Sequence, residues 1–226
     1  MLVRDRMTKE VITIPSSTTI LEAQKTMRES RVRRLPVVDG GKLVGIVTYN
    51  DLLEASPSKV TTLSRFELTY LLSKMTVAEI MTRNVVTVPP DVPIEEAALV
   101  MQKHQIGGLP VVEEGKIVGI ITESDIFEVF VETLGVWEGG TRITLELPQR
   151  PGALHEVTGI IKEHGLNILS LATFYEEGKP EYRYVVLRLN TLHPERVVTR
   201  LKEKGISVCH VWVAPKGENG YVLSIQ

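Results

Sequence analysis

Several functional classes are excluded by what this chain lacks. One of its 226 residues, Cys209, is a cysteine, so no disulfide can form within it and a reducing compartment is expected. Charge is almost balanced, at −2 overall, which gives no electrostatic reason to expect nucleic acid or an anionic membrane as partner. No apolar run approaches the ~18 residues of a membrane span, and the first residues lack the apolar core of a signal peptide. The expectation is a soluble, cytoplasmic protein. A glycine-rich phosphate loop, a nucleophile elbow and a His-Glu-x-x-His pair are also missing. The five histidines, His104, His155, His164, His193 and His210, are scattered. Cys209 and His210 are neighbours in an extended run, so they point to opposite faces and do not chelate together. No metal, no obligatory cofactor and no catalytic activity are expected.

What is present is a repeat. Residues 3–52 recur at 77–126 without insertion or deletion, and 21 of the 50 aligned positions are identical. Two copies predict a pseudo-twofold pair with two related clefts, not a long array. Each copy reads as strand, helix, strand, strand, helix. Val11–Ile14 is a β-branched run closed by Pro15. Ile20, Ala23 and Met27, and then Ile94, Ala97, Ala98 and Met101, fall at helical spacing. Asp39-Gly-Gly41 and Glu113-Glu-Gly115 sit between apolar strands as hairpin signals. Between the copies, Leu68, Leu71, Leu72 and Met75 predict a further helix.

The last part has a different rhythm. Arg142–Leu147 alternates as a strand, and Pro151-Gly152 opens a helix with Leu154, Val157, Ile160, Ile161 and His164 on its inner face. Strands follow at 167–175 and 182–189, then a helix at 194–204 with Val197, Val198 and Leu201 inward, and a strand at 206–213. That order is the ferredoxin-like βαββαβ pattern; 220–225 is a candidate extra strand. The fold class is α/β (α+β). The division is 1–60 and 77–134 for the repeats, 61–76 for the helix between them, 135–140 for a linker and 141–226 for the C-terminal domain.

The repeated Met-Thr-x-x-Val-x-Thr at 7–13 and 81–87, the two Leu-Pro-Val-Val strands and Gly-Ile-x-Thr-x-x-Asp at 45–51 and 119–125 resemble a CBS-domain pair, or Bateman module. Gln149-Arg-Pro-Gly-Ala-Leu154 followed by His164-Gly-Leu-Asn-Ile168 resembles an ACT domain. Joined in this order, and with the intervening 57–72 segment, they are similar to the acetoin-utilisation AcuB-like proteins.

The repeated seven-residue motif also has a physical reading of its own. A strand ends and a helix begins within it, so a Thr hydroxyl, an Asp carboxylate and unpaired helix N–H groups converge, a setting suited to ribose and an anion. Asp51 and Asp125 are equally good helix caps. The resemblance makes the ligand an adenine nucleotide held as a regulatory ligand. It implies Thr48, Asn50 and Asp51 as one set and Thr122, Ser124 and Asp125 as the other, with the base between residues around Ile12-Thr13 and Val86-Thr87 and near Pro36 and Pro110. Arg33 and Arg34 are the implied phosphate clamps, or else a solvated basic helix end. Gly107 and Gly108 stand in their place in the second copy, so unequal clefts are expected. The ACT resemblance implies a small amino acid across a dimer interface, at Gly152, Ala153, Leu154, Asn167 and Ile168. The whole implies a homodimeric ligand sensor acting on a partner protein. A constitutive dimerisation scaffold with vestigial clefts is the alternative.

Overall fold

The computed structural model describes residues 1–55, 70 and 73–215. It divides into two compact units, Met1–Ile126 and Phe127–Gln226. The helix expected over 61–76 lies mostly outside the described residues, and the extra strand at 220–225 lies wholly outside them.

In the first unit, repeat 1 contains α1 (Val3–Arg6), α2 (Ile20–Glu29), β1 (Arg34–Asp39), β2 (Lys42–Thr48) and α3 (Tyr49–Glu54). Helix α2 begins where the Thr19 hydroxyl accepts the Glu22 N–H and the Glu22 carboxylate accepts the Thr19 N–H, a reciprocal cap. Its buried face is the expected Ile20, Ala23 and Met27. Strands β1 and β2 form an antiparallel hairpin whose Gly40 and Gly41 have φ of 57° and 79°, the left-handed pair that a tight two-residue turn needs. Repeat 2 matches with α4 (Ile94–His104), β3 (Gly108–Glu113), β4 (Lys116–Thr122) and the start of α5 (Glu123–Thr133). The run Val11–Ile14 is not a strand; Ile14 alone makes a parallel bridge, to Val37. Four residues closed by a proline without an N–H sustain one bridge and no ladder.

Each repeat's opening segment packs onto the other repeat. Thr8 exchanges backbone hydrogen bonds with Ile120 of repeat 2 (2.9 and 3.0 Å), and Thr82 does the same with Ile46 of repeat 1 (2.9 and 3.0 Å). Met81 therefore lies on Gly45 and Met7 on Gly119, where a Cβ would overlap the methionine side chains. Val77 and Met81 of repeat 2 accordingly belong to the core built on Ile20, Met27, Leu35, Val37 and Leu52 of repeat 1.

The second unit holds β5 (Gly140–Pro148), α6 (Ala153–Glu163), β6 (Ile168–Phe174), β7 (Tyr182–Leu189), α7 (Glu195–Glu203) and β8 (Ser207–Ala214). The sheet order is β6-β7-β5-β8, antiparallel throughout. Ile143, Leu145 and Leu147 of β5 and Val185, Leu187 and Leu189 of β7 face Val157, Ile160, Ile161, Val197 and Leu201 of the helices. Two expected inner residues of α6 are not inside. Leu154 is 38% exposed because the buried face of α6 runs through Ala153, Val157, Ile160 and Ile161, and at 100° per residue Leu154 falls at its flank. His164 is the C-cap, its Nδ1 lying 2.8 Å from the Ile160 carbonyl. Ahead of the sheet, Arg188 (6% exposed) donates to the carbonyls of Leu134 and Gly139. Ser170 Oγ also donates to Leu134, at 2.8 Å.

Candidate functional site: a cleft shared by the two repeats

The end of β4 and the start of α5 form one wall of a cleft of about 440 Å³ in the first unit. Thr122 turns the chain there. Its N–H and its hydroxyl both donate to Asp125 Oδ2, at 2.7 and 2.8 Å, so the carboxylate is held by the cap it makes. The same bonds fix Asp51 to Thr48, at 2.7 and 2.8 Å. At Asp125 the capped carboxylate also lines the cleft, so the capping role does not remove it from the cleft wall.

The opposite wall belongs to repeat 1: Ile12, Arg33, Arg34 and Pro36, with Thr8 and Glu10 at the edge. Ile12, Arg33, Arg34, Pro36, Thr122, Ser124 and Asp125 thus come together. Thr13 is exposed on the same segment and does not line this cleft. The constant offset of 74 residues carries the lining set onto Val86, Pro110, Thr48, Asn50 and Asp51, across the pseudo-twofold axis. The backbone preserves that correspondence: Tyr49 N–H donates to Arg33 O at 2.8 Å and Glu123 N–H to Gly107 O at 3.2 Å. Thr87 is exposed, like its counterpart Thr13.

The two arginines differ in their surroundings. Arg33 is exposed and lines the cleft. Arg34 is half-buried and donates through Nη1 to the Gly107 carbonyl. Burial pulls its guanidinium below the ordinary arginine value, the Glu123 carboxylate pulls it back up, and Arg33 lowers it further. A Cβ on Gly107 would stand 2.8 Å from Arg34 Nη2 and 2.8 Å from Glu123 Oε2, and one on Gly108 would stand 2.9 Å from Arg34 Cζ. The Arg-Arg against Gly-Gly mismatch is therefore one contact. Positions 34 and 108 meet across the axis, where two arginines would place like charges together. Glycine leaves the room that the single guanidinium fills.

Thr8, Glu10 and Glu123 are cleft residues that sequence reasoning missed. The signal for Thr8 was its identity with Thr82 in the repeated motif, whereas Glu123 aligns with Tyr49 and had none. Glu10 carries no signal, because the aligned residue is Asn84.

The residues singled out in the C-terminal domain are not brought together within one chain. Gly152 (φ 85°) caps α6 beside Pro148, which pairs with Tyr182. Ile168 pairs with Leu189 at the other end of β7, roughly 23 Å away at about 3.3 Å per residue. There the Asn167 N–H donates to Asn190 Oδ1 at 2.7 Å.

Comparison with known proteins agrees with this architecture. The family profile described as CBS domain matches residues 3–58 and 77–132, and the profile described as TTHA0829-like ACT domain matches 139–212. A CBS domain-containing protein of Dictyostelium discoideum is 36% identical over 135 residues, 59% of this chain and 93% of that protein. The structure of a Vibrio cholerae protein assigned to acetoin utilization (AcuB) is 35% identical, covering 61% of this chain and 96% of its own, with a TM-score of 0.51. A CBS domain pair solved with 5′-methylthioadenosine and S-adenosyl-L-methionine is 38% identical, covering 58% of this chain and 97% of its own, with a TM-score of 0.49. Two enzymes among the curated relatives are much longer, and the chain spans 23% and 22% of them.

Proposed function

Because this chain belongs to the CBS-domain family and carries an ACT domain after its CBS pair, we propose that it is a non-catalytic sensor of adenine nucleotides that regulates a partner metabolic enzyme. Both domain types are regulatory modules. The observation that carries the reading is the composite cleft, in which Arg33 of repeat 1 faces the Thr122–Asp125 turn of repeat 2. Asp125 would accept the ribose hydroxyls, Ile12 and Pro36 would flank the base, and the exposed Arg33 would meet the phosphate as a bidentate donor. A ligand touching both repeats binds some arrangements of the pair better than others, which is what a sensor requires. Sequence similarity to the AcuB protein favours acetoin utilisation as the setting, and we propose a homodimer in the cytoplasm as the working form. An amino acid at the ACT domain would need two copies, with Gly152, Ala153 and Leu154 of one facing Asn167 and Ile168 of another.

Calorimetry on the full chain with AMP, ADP, ATP and S-adenosylmethionine tests the reading. Saturable heat is expected for at least one of them. Silence from all four at millimolar concentration would leave the scaffold alternative standing. Arg33→Ala is expected to weaken AMP at least tenfold while leaving adenosine within about threefold, because only AMP carries the phosphate. Equal loss for both ligands would remove Arg33 from the phosphate.

A further inference from the structure

Resting on the nucleotide reading above, we propose that the cleft holds two phosphates of its ligand and that Arg31 takes the second. A nucleoside 5′-diphosphate or longer is then preferred to a monophosphate. Arg31 lines the cleft together with Arg33, whereas its counterpart in repeat 2 is the uncharged Gln105. Between the two arginines, Val32 packs against the core of repeat 1, and its N–H donates to the Met27 carbonyl at 2.9 Å. With Val32 anchored inward, its neighbours are left on the cleft side. Two residues of chain span at most about 7 Å, so both guanidiniums can reach one pyrophosphate.

The charges of the lining pair off unevenly. It contains Arg31, Arg33 and Arg34 against Glu10, Glu123 and Asp125. Arg34 is engaged by the Gly107 carbonyl and by the nearby charge of Glu123, and Asp125 accepts from Thr122. Arg31 and Arg33 have no hydrogen bond or ion pair among the described residues. Two uncommitted guanidiniums therefore face the ligand, with Glu10 alone to offset them. A guanidinium grips phosphate oxygens through its planar fork. One phosphate on Arg33 leaves Arg31 without an anion, and a second phosphate supplies it.

The backbone of Arg31 supports the same assignment. Its φ is 54°, in the left-handed region, directly after Ser30, the C-cap of α2. Glycine is the usual residue at that position, because a side chain there carries a steric cost. A residue held in such a conformation is grounds for a functional hypothesis. Gln105 has the same φ of 54°, so the left-handed turn comes from the fold, and the guanidinium is what repeat 1 adds to it.

Calorimetry with AMP and with ADP, without magnesium, tests this on the full chain, on Arg31→Gly and on Gln105→Gly. The unaltered chain is expected to bind ADP at least tenfold more tightly than AMP, the scale of one charge-assisted contact. Arg31→Gly should weaken ADP at least tenfold and leave AMP within about threefold. It should also melt no lower than the unaltered chain, since glycine suits the left-handed backbone. Gln105→Gly makes the same backbone change in the other repeat and should leave ADP within about threefold. ADP no tighter than AMP, an unchanged ADP titration or equal losses of both ligands in Arg31→Gly, or the same ADP loss in Gln105→Gly would overturn the proposal. In each of those cases saturable AMP binding leaves the nucleotide reading standing. Silence from both ligands would remove that reading and this proposal together.

Discussion

Gly108 and Arg34 are a single fitted pair, and this gives the contact between the repeats a residue-level test. A Cβ on Gly108 would stand 2.9 Å from Arg34 Cζ and 3.0 Å from the Ile121 carbonyl. Gly108→Ala is therefore expected to cost about 1–3 kcal/mol, the usual range for overpacking. Removing the guanidinium relieves the larger clash, so Gly108→Ala combined with Arg34→Ala should cost about 1 kcal/mol less than the sum of the single variants. Denaturant titration of the four proteins reads this coupling, and simple additivity would show that the two residues do not share the space. Gly107 is a milder case, because its nearest neighbours are the far ends of Arg34 and Glu123, and both side chains can yield.

At the scale of elements, the strand-to-helix turn occurs twice with the same cap, which separates stability from binding. Thr48 and Thr122 each hold the carboxylate three residues on. Replacing either by valine removes a capping hydroxyl, for which the expected loss is about 1 kcal/mol of stability. Thr122→Val should in addition weaken AMP, because it loosens Asp125 in the cleft that contains Arg33. Urea titration paired with calorimetry makes the comparison, and wild-type AMP affinity in Thr122→Val would detach the motif from the ligand. The elements also show where sequence periodicity reaches its limit. Ile20, Ala23 and Met27 were legible as the buried face of α2 because a ten-residue helix repeats its signal. Val11–Ile14 was not, since a four-residue run reads the same whether it pairs along its length or at one bridge. Leu154 was misplaced because it lies at the flank of the α6 stripe, whose buried centre is Ala153, Val157, Ile160 and Ile161.

At the scale of the whole molecule, the sequence repeat and the folded repeat are different objects. Val3 is fully buried, Met7 lies against Gly119 and Thr8 pairs with Ile120, so the chain's first eight residues complete repeat 2. Deleting residues 1–8 is expected to lower the melting temperature and to speed amide exchange in 116–122 much more than in 42–48. It should also abolish AMP binding, because Thr8 borders the cleft. Faster exchange in 42–48 instead would mean that each repeat closes on itself. The same exchange explains why the cleft was only partly visible beforehand. The residues of each wall could be named, but alignment alone does not say that the arginines of one repeat serve the Thr-Asp turn of the other.

The order of residues sufficed for everything written at short range or in duplicate. That covers the two copies, their hairpins and caps, the βαββαβ succession and the residue types able to meet a nucleotide, because turn chemistry, capping and amphipathic period act within a few positions of the chain. Folding in space settled what depends on contacts between distant segments. It crossed the repeats at their first residues, set Arg34 into the space left by Gly107 and Gly108, and joined Arg33 to Asp125 in one cleft. Such pairings follow from which surfaces bury against each other, and nothing local in the chain encodes them.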